Sequence, residues 1–182
     1  MAVFFTSDTH FGHQAIIRHC KRPFASAAAM DEGMISRWNA RVAPGDTVYH
    51  LGDFCYRAGQ PASYYRERLN GEIHLIAGNH DDETLKHHAG CFASISLVKE
   101  IAIQRQRIVL FHYPMREWNG AYGGAWHLFG HVHGGLDKAP LGYSLDVGVD
   151  SNRFFPWSFE EIAAVLSKRG QYFGSEQKGV GQ

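Results

Sequence analysis

The chain has 182 residues, 45% of them apolar and 20% charged, with 18 Lys plus Arg against 18 Asp plus Glu. That length suits one compact domain burying roughly 70% of its unfolded surface, and the composition excludes disorder. Zero formal charge argues against wrapping long nucleic acid or lying on an anionic membrane, and leaves a local basic pocket as the route to an anion.

Ala2 to Ser7 is a short apolar run rich in Val and Phe, which predicts a buried strand ending at Asp8. A helix is expected from about Ser26, with Met30, Met34, Ile35, Trp38 and Val42 on its buried face and Pro44-Gly45-Asp46 turning the chain after it. Thr47 to Leu51 predicts a second strand, ended by Gly52-Asp53. Gln60 to Leu69 predicts a helix stopped by Asn70-Gly71, and Ile73 to Ala77 a third strand ended by Gly78-Asn79-His80-Asp81. Strands alternating with helices imply a parallel sheet with right-handed crossovers.

The pattern changes beyond Cys91. Ser94 to Gln104 and Arg107 to Phe111 predict a hairpin, and Ala125 to Phe129 and Tyr143 to Val149 two further strands. Ser158 and Glu161 have capping-box spacing at the head of a last helix, which runs to about Lys168 on a stripe of Phe159, Ile162, Ala163 and Leu166. One domain is expected over 1–169, followed by a Gly-rich polar tail, 170–182, expected to be loosely ordered. Cys20, Cys55 and Cys91 are odd in number and form no Cys-x-x-Cys pair, so they read as reduced thiols. With no signal-like start and no apolar run of about 20 residues, a soluble cytoplasmic protein is expected.

Histidine is unusually frequent, at 12 residues, and its placement is informative. Asp8 and His10 follow the first expected strand, Asp53 the second, and Asn79 and His80 the third. His112 ends the strand at 107–111, and His131 and His133 follow the one at 125–129. In open α/β sheets the ligand crevice lies beyond the carboxyl ends of the strands, where these loops can converge. Two carboxylates, an amide oxygen and four imidazoles without thiolate suit Mn, Fe, Zn or Ni better than Ca or Mg. Seven such residues fit two adjacent ions sharing a carboxylate, an arrangement that polarises a phosphoryl oxygen and ionises a water for in-line attack. Each residue alone has a plainer reading. Asp8 and Asp53 suit turns or caps, Asn79 an ordinary turn, His112 a structural position, and His131 and His133 an exposed pair on one side of a strand.

Asp8-Thr9-His10, Gly52-Asp53, Gly78-Asn79-His80-Asp81, an isolated His112 and Gly130-His131-Val132-His133 resemble, in order and approximate spacing, the five motifs of the calcineurin-like metallophosphoesterases. The chain is similar to the short stand-alone bacterial and phage members, which lack large cap domains. The resemblance implies an α/β fold, a four-layer α/β/β/α sandwich with a dinuclear site at its edge. It implies Asp8, His10 and His133 on the first metal, Asn79, His112 and His131 on the second, and Asp53 bridging them. His80 is then the group beside the leaving oxygen, a proton donor or a stabilising cation, with Asp81 orienting it. Arg57 matches the place of a phosphate-binding arginine. Phe54-Cys55-Tyr56 intervene, so the motif's second acidic residue is missing, which weakens a protein-phosphatase reading.

The expected function is therefore a metal-dependent phosphoesterase that uses two divalent transition-metal ions, Mn favoured, and a metal-bridging hydroxide attacking a small phosphorylated substrate directly. The segment 113–126 carries Arg116, Trp118, Tyr122 and Trp126 among glycines. It reads either as a mobile loop, with Arg116 and Trp118 as substrate contacts, or as a surface loop with its own small core. His13 reads equally as a substrate contact or a helix start. The aromatic loop and the single arginine lean toward a phosphodiester or nucleotide-like substrate, with a phosphomonoester as the alternative. A non-catalytic metal-binding scaffold would be expected to have lost ligands. A zinc amidohydrolase or deaminase would show a His-Glu helix motif or a Cys-x-x-Cys pair. His50 is expected to be packed, His19, His74, His87 and His88 to lie on the surface, and His127 is undecided.

Overall fold

The apolar runs and their punctuation become, in chain order, β1 (Val3–Thr6), α1 (Gln14–His19), α2 (Ala27–Asn39), β2 (Thr47–His50), α3 (Ala62–Arg66), β3 (Glu72–Ile76) and α4 (Asp82–His88). β4 (Ser94–Ser96), β5 (Val98–Ile103), β6 (Gln106–Phe111), β7 (Trp126–Phe129), β8 (Ser144–Asp146), β9 (Trp157–Ser158) and α5 (Phe159–Leu166) complete the set. The structure is a computed structural model and describes residues 1–170; the expectation of a loosely ordered tail lies, but for Gly170, outside the described residues.

Two mixed sheets pack face to face in an α/β sandwich, with strand orders β4-β3-β2-β1-β9 and β5-β6-β7-β8. In the first sheet β1 to β4 are parallel and β9 is antiparallel to β1. Phe5, Leu51 and Ile76 on its inner face meet Ile108, Leu110, Leu128 and Leu145 of the second sheet, and Phe159, Ile162 and Leu166 of α5 close that core. Phe4, Val48, Ile73 and Leu75, on alternate positions, face outward onto Met30, Met34, Ile35 and Trp38 of α2. The outer face of the second sheet is covered by the 113–125 segment, where Val109 packs with Trp118, Ala121 and Ala125. The expected capping box is present: Glu161 N–H donates to Ser158 Oγ at 3.2 Å, and Ser158 N–H to Glu161 Oε2 at 3.0 Å.

Three expectations change. The run Ser94–Gln104 is two strands, because β4 pairs parallel with β3 whereas β5 pairs antiparallel with β6; the chain changes sheets at the exposed Leu97. The helix expected over 60–69 is confined to α3. His131 and His133 sit in a turn beyond β7, with φ of 71° and 49°, rather than on a strand. β1, β2, β3, β6 and β7 all deliver their carboxyl ends to one edge of the sandwich, which fixes where the site forms.

Candidate metal centre

The backbone at this edge is bent in an unusual way. Asp8 (φ 58°), His10 (49°), Asp53 (57°), His131 (71°) and His133 (49°) are all left-handed. The left-handed region costs non-glycine residues energy, and such positions cluster where a loop is over-determined by its surroundings. Here the surroundings are the loops themselves. A Cβ at Gly130 would run into Ser7 Oγ and Asp8 Oδ2, and one at Gly78 into Asp53 Oδ1, so glycine lets the turn after β7 approach that after β1 and the turn after β3 approach that after β2.

Asp53 lies at the centre. Its Oδ2 is 3.4 Å from His10 Nε2 and its Oδ1 is 3.6 Å from His112 Nε2, one oxygen toward each half of the expected ligand set. On the first side, Asp8, His10 and His133 bring ligand atoms within 4.8 Å of one another, and Asp8, Asp53 and His112 do the same across the middle. Asp8 Oδ2 accepts the His131 N–H at 2.9 Å. Asp8 Oδ1 and His10 Nε2, both buried, have no hydrogen-bond partner. An unpaired buried carboxylate oxygen costs several kcal/mol, roughly, unless something positive meets it.

The imidazoles are oriented from behind. His112 Nδ1 donates to Leu51 O at 2.6 Å, His133 Nδ1 to Asp150 Oδ2 at 2.8 Å, and His10 Nδ1 lies 3.3 Å from His13 Nδ1. With Nδ1–H donating outward, the His112 and His133 rings turn Nε2 inward, where it can serve as a metal ligand. On the second side, His112 Nε2 is 3.1 Å from Asn79 Oδ1. Because His112 donates Nδ1–H to Leu51 O, the neutral ring turns its Nε2 lone pair toward the Asn79 amide. His131 stands beside it, its ring 5.2 Å from that of His112. Orphaned acceptors, inward lone pairs and a nitrogen–oxygen donor set fit two transition-metal ions.

The electrostatics agree. Without a compensating cation, burial pushes the Asp8 carboxyl up to about 8, and Asp146 and Asp53 reinforce this while His133 opposes it. Burial holds His10 far below its usual range, aided by Arg22 and His133, and burial also lowers His112. His133 goes the other way: burial disfavours its charge, but bonds to Asp150 and Cys20 and the Asp8 charge carry it up to about 10. Metal binding would draw the protons off Asp8 and His133.

Other expected site residues fare differently. His80 donates its backbone N–H to Asp53 Oδ1 at 2.9 Å, and its ring packs 4.0 Å from Tyr56. It faces a cavity of about 530 Å³ whose wall includes Tyr56, Arg57, Asn79 and His87. Arg57 is exposed and lies over Tyr56. His13 touches the rings of His10, Tyr56 and His80, and burial lowers it to about 4.

Asp81 does not orient the His80 ring. Its carboxylate is consumed by three backbone donors, Asp53 and Gly78 N–H on Oδ2 and Phe54 N–H on Oδ1, each at 2.8 Å. Trp118 is not a substrate contact either. It is 5% exposed, packs on Val109 and Ala125, and spends its indole N–H on Ala125 O, so the 113–126 segment has its own small core. Arg116 lines a different cavity of about 470 Å³, together with Met115, Asp137 and Asp146, whose wall holds none of the seven expected ligands. His127 is structural: buried, it accepts Met115 N–H at Nε2 and donates from Nδ1 to Val109 O. His50 is packed as expected, and His74 is half-buried against Ser94.

Sequence reasoning missed Arg22, Asp146 and Asp150. Asp146 accepts the Gly134 and Gly148 N–H groups at 2.8 and 2.7 Å and so sets the turn after His133. Asp150 carried a readable signal, an acid just beyond an expected strand. Arg22 carried none.

A family model described as "Calcineurin-like phosphoesterase superfamily domain" matches residues 1–139. The curated protein "Uncharacterized protein MJ1445" of Methanocaldococcus jannaschii is 32% identical over 173 residues, which cover 91% of this chain and 92% of that protein. Among solved structures, the protein AQ665 of Aquifex aeolicus, described as of unknown function, superposes with a TM-score of 0.73 at 25% identity. That match covers 90% of this chain and 98% of the other.

Proposed function

Since the chain belongs to the calcineurin-like phosphoesterase superfamily, we propose that it is a metal-dependent phosphoesterase working through two divalent cations, Mn favoured, held by Asp8, His10, Asp53, Asn79, His112, His131 and His133. The observation that carries this reading is a pair of buried ligand atoms without a hydrogen-bond partner, Asp8 Oδ1, 4.0 Å from His133 Nε2, and His10 Nε2, 3.4 Å from Asp53 Oδ2. When bound, the two ions supply positive charge for phosphoryl oxygens and make a water acidic enough to ionise near neutral pH.

This chain's own side chains do the rest. Asp8, His10 and His133 would hold one ion, Asn79, His112 and His131 the other, and Asp53 would serve both. His80, fixed through its backbone to Asp53, lines the cavity that takes the ester's organic part, and its imidazole protonates or stabilises the leaving oxygen. Arg57, extended over Tyr56 in the same wall, meets a non-bridging phosphoryl oxygen. Water attacks phosphorus directly. Cys55, the thiol nearest in sequence to Asp53, is bonded to Thr84 and pushed up by burial, so it is no nucleophile.

The substrate is a small phosphoester. With Trp118 buried, the lean toward a diester rests on charge: among the described residues Arg57 is the one Arg or Lys in that cavity wall, where Asp82 and Glu83 also lie, and a dianionic monoester calls for more positive charge. A panel of p-nitrophenyl mono- and diesters, assayed with Mn²⁺ and again with a chelator, tests the reading. Hydrolysis that needs the ion and favours the diester is expected. Absence of hydrolysis with every divalent ion would overturn the function, and a monoester rate dominating at every pH would overturn the substrate preference.

A further inference from the structure

Behind the first metal position lies a cluster that shares His133 with it and adds two residues the mechanism does not use, Cys20 and Asp150. Cys20, His133 and Asp150 bring ligand atoms within 4.8 Å of each other. It looks like a third cation site, but a cation is already there. Arg22, 4% exposed, donates Nη2 to Asp150 Oδ2 at 2.7 Å and Nε to Asp150 Oδ1 at 2.9 Å. The same Oδ2 accepts His133 Nδ1–H at 2.8 Å. Arg22 then reaches back across the site, donating Nη2 to Asp8 O at 2.7 Å and Nη1 to Thr9 O at 3.0 Å.

We infer that Arg22 and Asp150 are positioning residues that assemble the first metal position, locking the Asp8–Thr9–His10 turn and the His133 ring into one rigid unit. The guanidinium is the only group in the cluster with the geometry for this. Its planar fork meets a carboxylate on one edge while the remaining N–H donors hold two backbone carbonyls, which an ammonium cannot do in the same directions. Those carbonyls belong to the left-handed Asp8 and its neighbour, so Arg22 clamps a backbone that would otherwise relax. Asp150 is the second half of the clamp, fixing the tautomer and tilt of a ligand that arrives from β7, more than 100 residues later in the chain. At the second position the His112 ring is held instead by a backbone group, the Leu51 carbonyl.

The inference rests on the two-ion reading, and its test separates the two. Mn²⁺ binding to the full chain is measured by calorimetry and by electron paramagnetic resonance, for wild type, Asp150→Asn, Asp150→Ala and Arg22→Lys. Wild type should take up two ions and show a spin-coupled pair. In Asp150→Ala and Arg22→Lys the first-position affinity should fall about 10–100-fold with the second kept, so the coupled signal gives way to that of isolated Mn²⁺ at limiting metal. Asp150→Asn, which keeps an acceptor for His133 but loses the charge that holds Arg22, should fall between and covers the case in which the alanine variant does not fold. Two ions bound with wild-type affinity in the variants would overturn the relay alone. Equal loss at both positions would also overturn it, because that marks a general structural role. A wild type that binds no ion would overturn the underlying reading instead.

Discussion

Asp81 holds Asp53 in place through the backbone: Oδ2 of the buried Asp81 carboxylate accepts the Asp53 N–H at 2.8 Å, and the same carboxylate also ties down Phe54 and Gly78. The residue next to His80 thus acts on the bridging carboxylate and on the turn that brings Asn79 alongside it. Asp81→Ala leaves three buried N–H groups unpaired, which at about 1–3 kcal/mol each amounts to a loss of at least about 3 kcal/mol. Urea unfolding of the cation-free protein measures this, and a change within about 0.5 kcal/mol would contradict the assignment.

Cation binding should release protons. Burial places the Asp8 carboxyl at about 8, so near pH 7 it is mostly protonated until a cation replaces the proton. Calorimetry in two buffers of different ionisation enthalpy should show proton release and an affinity that climbs from pH 6 to pH 8. In Asp8→Asn the release should diminish along with the affinity. A pH-independent affinity in wild type would count against the Asp8 assignment.

His80 acts late in the proposed reaction, on the leaving oxygen. His80→Ala should lower kcat by about 10²–10⁴ on alkyl esters, much less on p-nitrophenyl esters whose leaving group needs no proton, and leave the bound metal count unchanged. Equal losses on both ester classes would remove the leaving-group role.

Acid should unfold the protein from the core as well as from the site. Burial holds His127 at about 4, well below the ordinary 6.5, against the pull of the Val109 and Tyr113 carbonyls, and protonation at Nε2 would also break the Met115 N–H bond. A histidine with its folded value lowered contributes stability that is complete above pH 6.5 and is lost as pH falls through 6.5 toward 4, a loss of about 3 kcal/mol. His50, placed at about 3 by burial, adds to the same limb. His127→Gln keeps an acceptor and should flatten the fall in urea midpoint between pH 7 and pH 4.

Trp118 should matter for stability and hardly for substrate. Trp118→Ala removes the largest side chain of the small core outside the second sheet and should cost about 3–5 kcal/mol, with KM of the folded enzyme unchanged within about twofold. A large rise in KM at intact stability would restore the loop as a substrate contact.

Much of this was readable from the chain alone. Asp8, Asp53 and Asn79 are legible because a strand's end and a glycine turn are local signals, and those loops can only meet at one sheet edge. Asp8, His10, Asp53, His112 and His133 bring ligand atoms close together there, with Asn79 beside His112. What escaped was tertiary. Trp118 looks like any loop aromatic until Val109 and Ala125 are seen beneath it. Arg22 lies 128 residues from Asp150, and no spacing rule links them. Asp81 follows His80 directly, so its partner looks local in the sequence, whereas two of its three donors come from a loop 27 and 28 residues earlier. The split between β4 and β5 escaped because the run reads as uniformly β, and only the second sheet decides where it breaks.

Anomalous diffraction from a crystal grown in Mn²⁺ addresses the two-ion assignment most directly. Two peaks about 3.5–4 Å apart, one beside Asp8, His10 and His133, the other beside Asn79, His112 and His131, with the Asp53 carboxylate between them, are expected. Peaks absent from this edge of the sandwich, or a single ion bound without Asp53, would contradict it.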